Sequence, residues 1–210
     1  LPLVFFPPRR PLVRAAAVVA ILAAALLAGG PRAGEESVVW SPYQRLSALA
    51  QYHDDAAGRP VRTGTVIRTN HADYMRIVDQ SDAFAARHPE LFPAKELRPY
   101  DNYNLPYRFH PEPRDVLIVG AGGGNDVAGA LRNGALRIDA VEIDPRILEY
   151  GRSENRERPY DAIHADRVHL HVDDARSFFR KTDRRYDMVV FGTLDSHTLS
   201  SSLCNVRLDN

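Results

Sequence analysis

The chain reads as an α/β protein built on a doubly wound parallel sheet, and three observations point there. Short apolar, β-branched runs recur at Val116–Val119, Ile138–Ile143, Arg167–Val172 and Tyr186–Phe191, each of strand length and bounded by turn residues. Segments of helical character separate them, and strands alternating with helices pair in parallel through right-handed crossovers. A glycine cluster, Gly120-Ala-Gly-Gly-Gly124, closes the first run, and Glu142 stands at the tip of the second, 22 positions after Gly120. Together they form the first half of a nucleotide-binding βαβ unit.

Three parts follow in order: a membrane segment with its flanks at 1–33, a small β-containing domain with its connection at 34–110, and the parallel-sheet domain at 111–210. Residues 15–30 are uninterrupted apolar and small. With Pro11 to Val13 ahead, the span 11–30 approaches the roughly 20 residues that cross a bilayer. A signal peptide shares the basic start and small residues, but Leu1–Phe6 ahead of Arg9 and Arg10 resembles the tail of an earlier span, so a transmembrane helix is favoured. Arginines on the leading side would put the preceding loop in the cytoplasm. A domain using a cytosolic nucleoside argues for the opposite orientation, and the expectation is a membrane protein with its soluble domain in the cytoplasm.

Val61–Thr69 alternates and contains Gly64, as a strand or hairpin does. Pro89–Pro113, dense in Tyr and Pro, reads as an irregular connection. Asn125–Asn133 forms a helix ended by Gly134, Pro145–Gly151 a helix with Pro in its first turn, and Ala175–Lys181 a short third helix. Four strands are only the first part of a doubly wound sheet. With Leu1 in place of Met and a patterned segment interrupted at Asn210, the chain reads as an excerpt truncated at its C-terminus.

Composition narrows the function. Lys+Arg and Asp+Glu are both 27, so the basic excess of a nucleic-acid binder is missing. The single Cys204 excludes an internal disulfide or a cysteine metal site, and no His pair has metal-ligand spacing. His169 and His171 alternate along a strand, as on a solvated face. No metal is expected.

The glycines discriminate among nucleotides. A dinucleotide fingerprint places a third glycine three positions after the second, where this chain has Asn125, and Asp126 in the first helical turn would repel a pyrophosphate on the same amides. No Gly-Lys-Ser/Thr follows, which excludes a P-loop. Gly120, Gly122 and Gly124 suit an S-adenosyl nucleoside, which carries a sulfonium and no phosphate. In a doubly wound sheet the ligand lies beyond the carboxyl ends of the strands. Glu142 can accept from a ribose diol, Asp174 from an adenine amino group, and Ala175 offers a backbone amide. Asp144, before Pro145, reads as a helix cap, Asp173 equally as a turn residue, and Asp195 as a cap or a working carboxylate.

Trp40-Ser-Pro-Tyr-Gln44, Val116–Gly124, Val141-Glu-Ile-Asp-Pro145, Val172-Asp-Asp-Ala175 and Tyr186-Asp-Met-Val-Val190 follow one another as in spermidine synthases, the polyamine aminopropyltransferases. The resemblance covers roughly residues 40–210, and the apolar span ahead makes the chain similar to the membrane-fused branch. It implies a small β domain before a methyltransferase-like Rossmann domain, and transfer of an aminopropyl group from decarboxylated S-adenosylmethionine to a polyamine. By position Gln44 and Glu142 resemble the ribose contacts, Asp174 the adenine contact and Tyr74 the tyrosine of the polyamine channel. Two departures bear on the acceptor. The aspartate that holds the aminopropyl amine is Gly123 here, and the base after the fourth strand is Gly192. Asp195 is the remaining acidic position of that motif, and Met75 follows Tyr74 where Gln is usual. The implied partners are a small-molecule amine or another acceptor, the membrane through 11–30, and a second copy in a homo-dimer. The alternatives are an S-adenosylmethionine-dependent methyltransferase and a silent nucleoside-binding domain.

Overall fold

A computed structural model describes residues 11–91, 101–157 and 166–192. Four parallel strands occupy its second half: β5 (Asp115–Val119), β6 (Arg137–Glu142), β7 (Val168–Val172) and β8 (Met188–Phe191), in the order β7-β6-β5-β8. Val116 is in register with Ile138 on one side and with Met188 on the other. All four apolar residues of β5 are buried, as a central parallel strand covered on both faces requires. Val116 and Ile118 point to one face with Ile138, Ala140 and Val190. There they meet Val127 and Ala130 of α4 (Asn125–Arg132) and Leu148 of α5 (Pro145–Glu157). Leu117, Val119 and Val141 point to the other face, against Phe178 of α6 (Ala175–Lys181). The first two crossovers therefore cover one face and the third covers the opposite one. The strand order reverses between β5 and β8, and this is the doubly wound arrangement expected from the pattern of runs.

Ahead of it lies an antiparallel meander, β1 (Ser37–Trp40), β2 (Arg45–Asp54), β3 (Pro60–Thr69) and β4 (Ala72–Val78), in sequential order. Only the third was legible as a strand. Asn70 and His71 both take positive φ, the conformation that lets a two-residue turn follow the twist of its strands. Two short helices, α2 (Asp82–Arg87) and α3 (Pro106–Phe109), lie in the connection. The two sheets share apolar packing: Leu46, Ala48, Ile67 and Ile77 of the meander pack with Ile147 and Tyr150 of α5. Ser37 Oγ donates to Tyr150 Oη at 3.1 Å along the same contact.

The apolar span does form a helix, α1 (Pro11–Gly29). Yet among the described residues no helix is long and apolar enough to cross a membrane. Arg14 stands inside α1, so the uncharged stretch runs only from Ala15 to Gly29, roughly 22 Å at 1.5 Å per residue against a hydrocarbon core of about 30 Å. The transmembrane helix expected over 11–30 is corrected accordingly. The membrane partner and the membrane localisation are corrected with it. Leu1–Phe6, Arg9 and Arg10 lie outside the described residues.

Beyond α1 the chain is tied to the meander by a buried ion pair. Arg45 Nη2 meets Glu35 Oε2 at 2.7 Å with both side chains 2% exposed, and also donates to Gly30 O at 2.9 Å. The histidines of β7 differ from expectation. His169 Nε2 lies 2.7 Å from Arg137 Nη1, and His171 Nε2 lies 2.8 Å from buried Asp139 while its ring packs on Phe178. Both stay half-exposed but are tied into a polar cluster with Arg137 and Asp139 beside α6.

The Arg45 hydrogen bond lowers the Glu35 carboxyl to about 2. A depressed carboxyl stabilises the fold above its ordinary range near 4.5 and loses that contribution as the pH falls toward 2. Glu35→Gln leaves a buried guanidinium without its counter-charge and should cost about 3 kcal/mol in urea unfolding at pH 7. It should also flatten the acid limb of the stability curve between about pH 4.5 and 2. Unchanged stability at both ends would show that the pair contributes nothing.

Candidate functional site

Strand β5 runs out at Val119, and the amides of Gly120 and Ala121 both donate to Val141 O on β6, at 2.9 and 3.0 Å. That hook turns the chain away from the sheet. Gly120, Gly122 and Gly124 have φ of 75°, 53° and 100°, the left-handed region that a residue with a Cβ enters only under strain. The alternate glycines of the motif are thus those the turn demands, and Gly124 is the N-cap of α4. Glu142, 8% exposed, ends β6 beside this loop. One of its oxygens accepts from Gly122 N at 2.9 Å and the other from Asp144 N at 3.0 Å. Burial nevertheless pushes its carboxyl above the ordinary value, against those two bonds. The Ile143 amide acts on the same carboxylate, and its two oxygens together still have acceptor capacity for a further donor.

Asp144 accepts from Arg146 N at 2.9 Å and so opens α5 as the spacing before Pro145 suggested. Its other oxygen is buried and meets no donor among the described residues. Asp173 binds Lys181 Nζ at 2.8 Å. Asp174 caps α6 by accepting from Ser177 N at 3.1 Å, and Ala175 is the first residue of that helix. Gly120–Gly124, Glu142 and Asp174 therefore all stand at the carboxyl edge of one sheet. Gln44 closes the β1–β2 turn, where its amide donates to Ser41 Oγ at 3.0 Å. Asp195, His197 and Cys204 lie outside the described residues.

Strand β4 covers the glycine loop, which sequence reasoning did not foresee. Asn125 fastens it: its side chain donates to Arg76 O at 2.6 Å and to Tyr103 Oη at 2.9 Å, and accepts from Val78 N at 3.2 Å. A Cβ on Gly122 would come within 2.7 Å of Met75 Cε, and one on Gly123 would collide with the buried Ile77 side chain. Ile77 is β-branched and stiff about χ1, so the space an acidic side chain at 123 would need is filled by hydrocarbon. Beside this contact lies an open pocket of about 540 Å³, lined by Tyr74, Met75, Arg76, Gln80 and Tyr103 among others.

The second departure has a different neighbour. Gly192 continues the ladder to Val119 O at 2.9 Å. A Cβ there would sit 2.6 Å from Gly120 O and 3.3 Å from Asp126 Oδ2. Backbone already occupies the room for a side chain at 192, and a carboxylate from the first turn of α4 stands alongside. Burial raises the Asp126 carboxyl to about 6.

The Spermine/spermidine synthase domain profile matches residues 103–207. The chain belongs to the spermine/spermidine synthase family. Among curated relatives, a polyamine aminopropyltransferase of Prochlorococcus marinus (strain MIT 9301) is 32% identical over 94 residues, 44% of this chain and 33% of the relative. One of Methanocaldococcus jannaschii is 22% identical over 154 residues, 68% of this chain and 51% of the relative. The chain thus spans a third to a half of the length of these two relatives. Among solved structures, a "probable spermidine synthase" from Corynebacterium glutamicum superposes with a TM-score of 0.52 at 18% identity, covering 80% of this chain and 54% of that one. That likeness is one of fold. The family's methyltransferase-like parallel sheet is the one described above, and the antiparallel meander precedes it.

Packing at the loop makes the family departure testable. Gly123→Asp should destabilise the protein by about 2 kcal/mol, the cost of overpacking a filled site. Adding Ile77→Ala should recover part of that loss in a double-mutant cycle. Strictly additive losses would show that Ile77 does not occupy the space.

A second outcome follows from Asp126. Its raised carboxyl means the folded state holds a proton more tightly than the unfolded chain. Stability should therefore fall as the pH rises from about 4 to about 6. Asp126→Asn should remove most of this fall and raise neutral-pH stability by about 2 kcal/mol. Glu142, shifted in the same direction, keeps a residual slope. A variant no more stable than wild type at pH 7 would contradict the shift.

Proposed function

We propose that the protein is a group transferase whose donor is an S-adenosyl nucleoside bound at the carboxyl edge of β5, β6 and β7. The observation carrying this reading is Glu142, buried against Gly122 N with acceptor capacity left over at the strand edge. In the proposed complex Glu142 and Gln44 take the ribose hydroxyls. Asp174 and Ala175 take the adenine edge, and Gly120, Gly122 and Gly124 let the nucleoside lie against the backbone. Tyr74 lines the acceptor channel, in keeping with its place in the open pocket beside the loop. The reaction proposed is transfer of an aminopropyl group from decarboxylated S-adenosylmethionine to a polyamine, with Asp195 as the carboxylate that takes the attacking amine's proton. Family membership and the aminopropyltransferase relatives support it. In aqueous solution the acceptor is a small-molecule amine, and a homo-dimer is the proposed assembly.

A second reading, methyl transfer from S-adenosylmethionine, is favoured by one observation. Met75 and Ile77 press on Gly122 and Gly123, so apolar groups stand where a donor's aminopropyl ammonium would want a carboxylate. The products separate the two readings. Methylthioadenosine formed in the presence of putrescine or spermidine identifies aminopropyl transfer, and S-adenosylhomocysteine identifies methyl transfer.

The nucleoside site has its own test. Glu142→Ala should weaken methylthioadenosine binding by about 1.5–3 kcal/mol, the loss of a charged hydrogen-bonding group. Equal calorimetric affinity for NAD, or no effect of the substitution, would defeat the reading.

A further inference from the structure

A doubly wound sheet opens its ligand crevice where the strand order reverses, which in this chain is between the carboxyl ends of β5 and β8. The backbones there approach so closely that a Cβ on Gly192 would lie 2.6 Å from Gly120 O. Neither strand end contributes a side chain at this point. Among the described residues the acidic group nearest this point comes from α4: Asp126 Oδ2 lies 3.3 Å from the position of that Cβ. Among the described residues no cation or hydrogen-bond donor meets this carboxylate. The titratable groups facing it are Tyr103, on the loop before α3, and Tyr107, on α3. Tyr107 is buried, and its hydroxyl meets no partner among the described residues. All three are neutral or anionic, so among the described residues the Asp126 charge at the mouth of the crevice is uncompensated. A carboxylate without a counter-charge costs stability unless a cation joins it.

We propose that Asp126 is the carboxylate that binds the cationic amine of the acceptor at the β5–β8 crevice. This rests on the transferase reading above. It adds a binding determinant on α4, distinct from Asp195. A carboxyl titrating near pH 6 makes acceptor binding switch on as the pH rises through that value, while an aliphatic ammonium stays charged.

The test is calorimetric titration of putrescine and of spermidine into the full chain saturated with methylthioadenosine, at pH 5 and pH 8. Wild type should bind the amines at least tenfold more tightly at pH 8. Asp126→Asn should lose at least tenfold at pH 8 together with the pH step, and Asp126→Glu should retain the step. Methylthioadenosine affinity, measured separately, should be the same in all three proteins. A parallel comparison of S-adenosylmethionine with S-adenosylhomocysteine distinguishes the donor's sulfonium as the cation served. Amine affinity unchanged in Asp126→Asn, a loss confined to the sulfonium arm, or no amine binding by nucleoside-saturated wild type would each overturn the proposal. Failure of methylthioadenosine itself to bind wild type would instead defeat the nucleoside reading on which it rests.

Discussion

Between Gly120 and Gly124 the chain carries no side chain larger than the methyl of Ala121, and three neighbours use the room that this leaves. Glu142 on β6 reaches Gly122 N, β4 lays Met75 and Ile77 against Gly122 and Gly123, and Gly192 at the end of β8 packs on Gly120 O. A Cβ at 122, 123 or 192 would push one of them away. This close backbone approach therefore joins the two sheets and defines the crevice. Asn125 completes it, since its amide satisfies two backbone groups of β4 that would otherwise be left without partners where the strand meets the helix. The meander accordingly covers the glycine loop at the carboxyl edge of the parallel sheet, and its apolar residues share a core with α5.

The carboxylates divide into two kinds by what surrounds them. Glu35 and Asp139 are paired with cations, Arg45 in one case and His171 with Arg137 in the other, and both sit below the ordinary range. They stabilise the fold at neutral pH. Glu142 is buried against backbone donors, Asp126 is half-buried and meets no donor among the described residues, and both sit above it. They weaken the fold at neutral pH and lie at the carboxyl edge of the parallel sheet. The cation-paired carboxylates and those at the carboxyl edge of the sheet are thus separated by the sign of their shift, not by the depth of burial alone. The unpartnered oxygen of Asp144 adds to the polarity of the same edge.

Sequence reasoning located the parallel-sheet strands to within two residues because central strands are apolar on both faces. The departures have local causes. β8 begins at Met188 rather than Tyr186 because the Asp187 side chain accepts from the amides of Arg114 and Asp115 and ends the turn instead. α5 continues past Gly151 without a signal in the sequence, because Arg152 and Ser153 face solvent and carry no apolar period. Three of the four meander strands were missed. They are half polar, and antiparallel pairing with a neighbour, not burial on two faces, makes them strands. The uninterrupted apolar run of α1 announced a helix correctly. Its use in a membrane did not follow, because Arg14 shortens the uncharged stretch.

Local chemistry settled the doubly wound class, the glycine turn and Glu142 beside it. β-branched runs, positive φ and a fixed spacing along one βαβ unit act over a few residues and leave their mark in the order of amino acids. The absence of acidic groups at 123 and 192 was equally plain in the chain. What stands in their place was not, because Ile77 lies 46 positions before Gly123, and Asp126 meets Gly192 only once β8 has paired with β5. Only tertiary structure could decide that one position is sealed by hydrocarbon and the other faced by a half-buried carboxylate, because both outcomes depend on packing between segments distant in sequence.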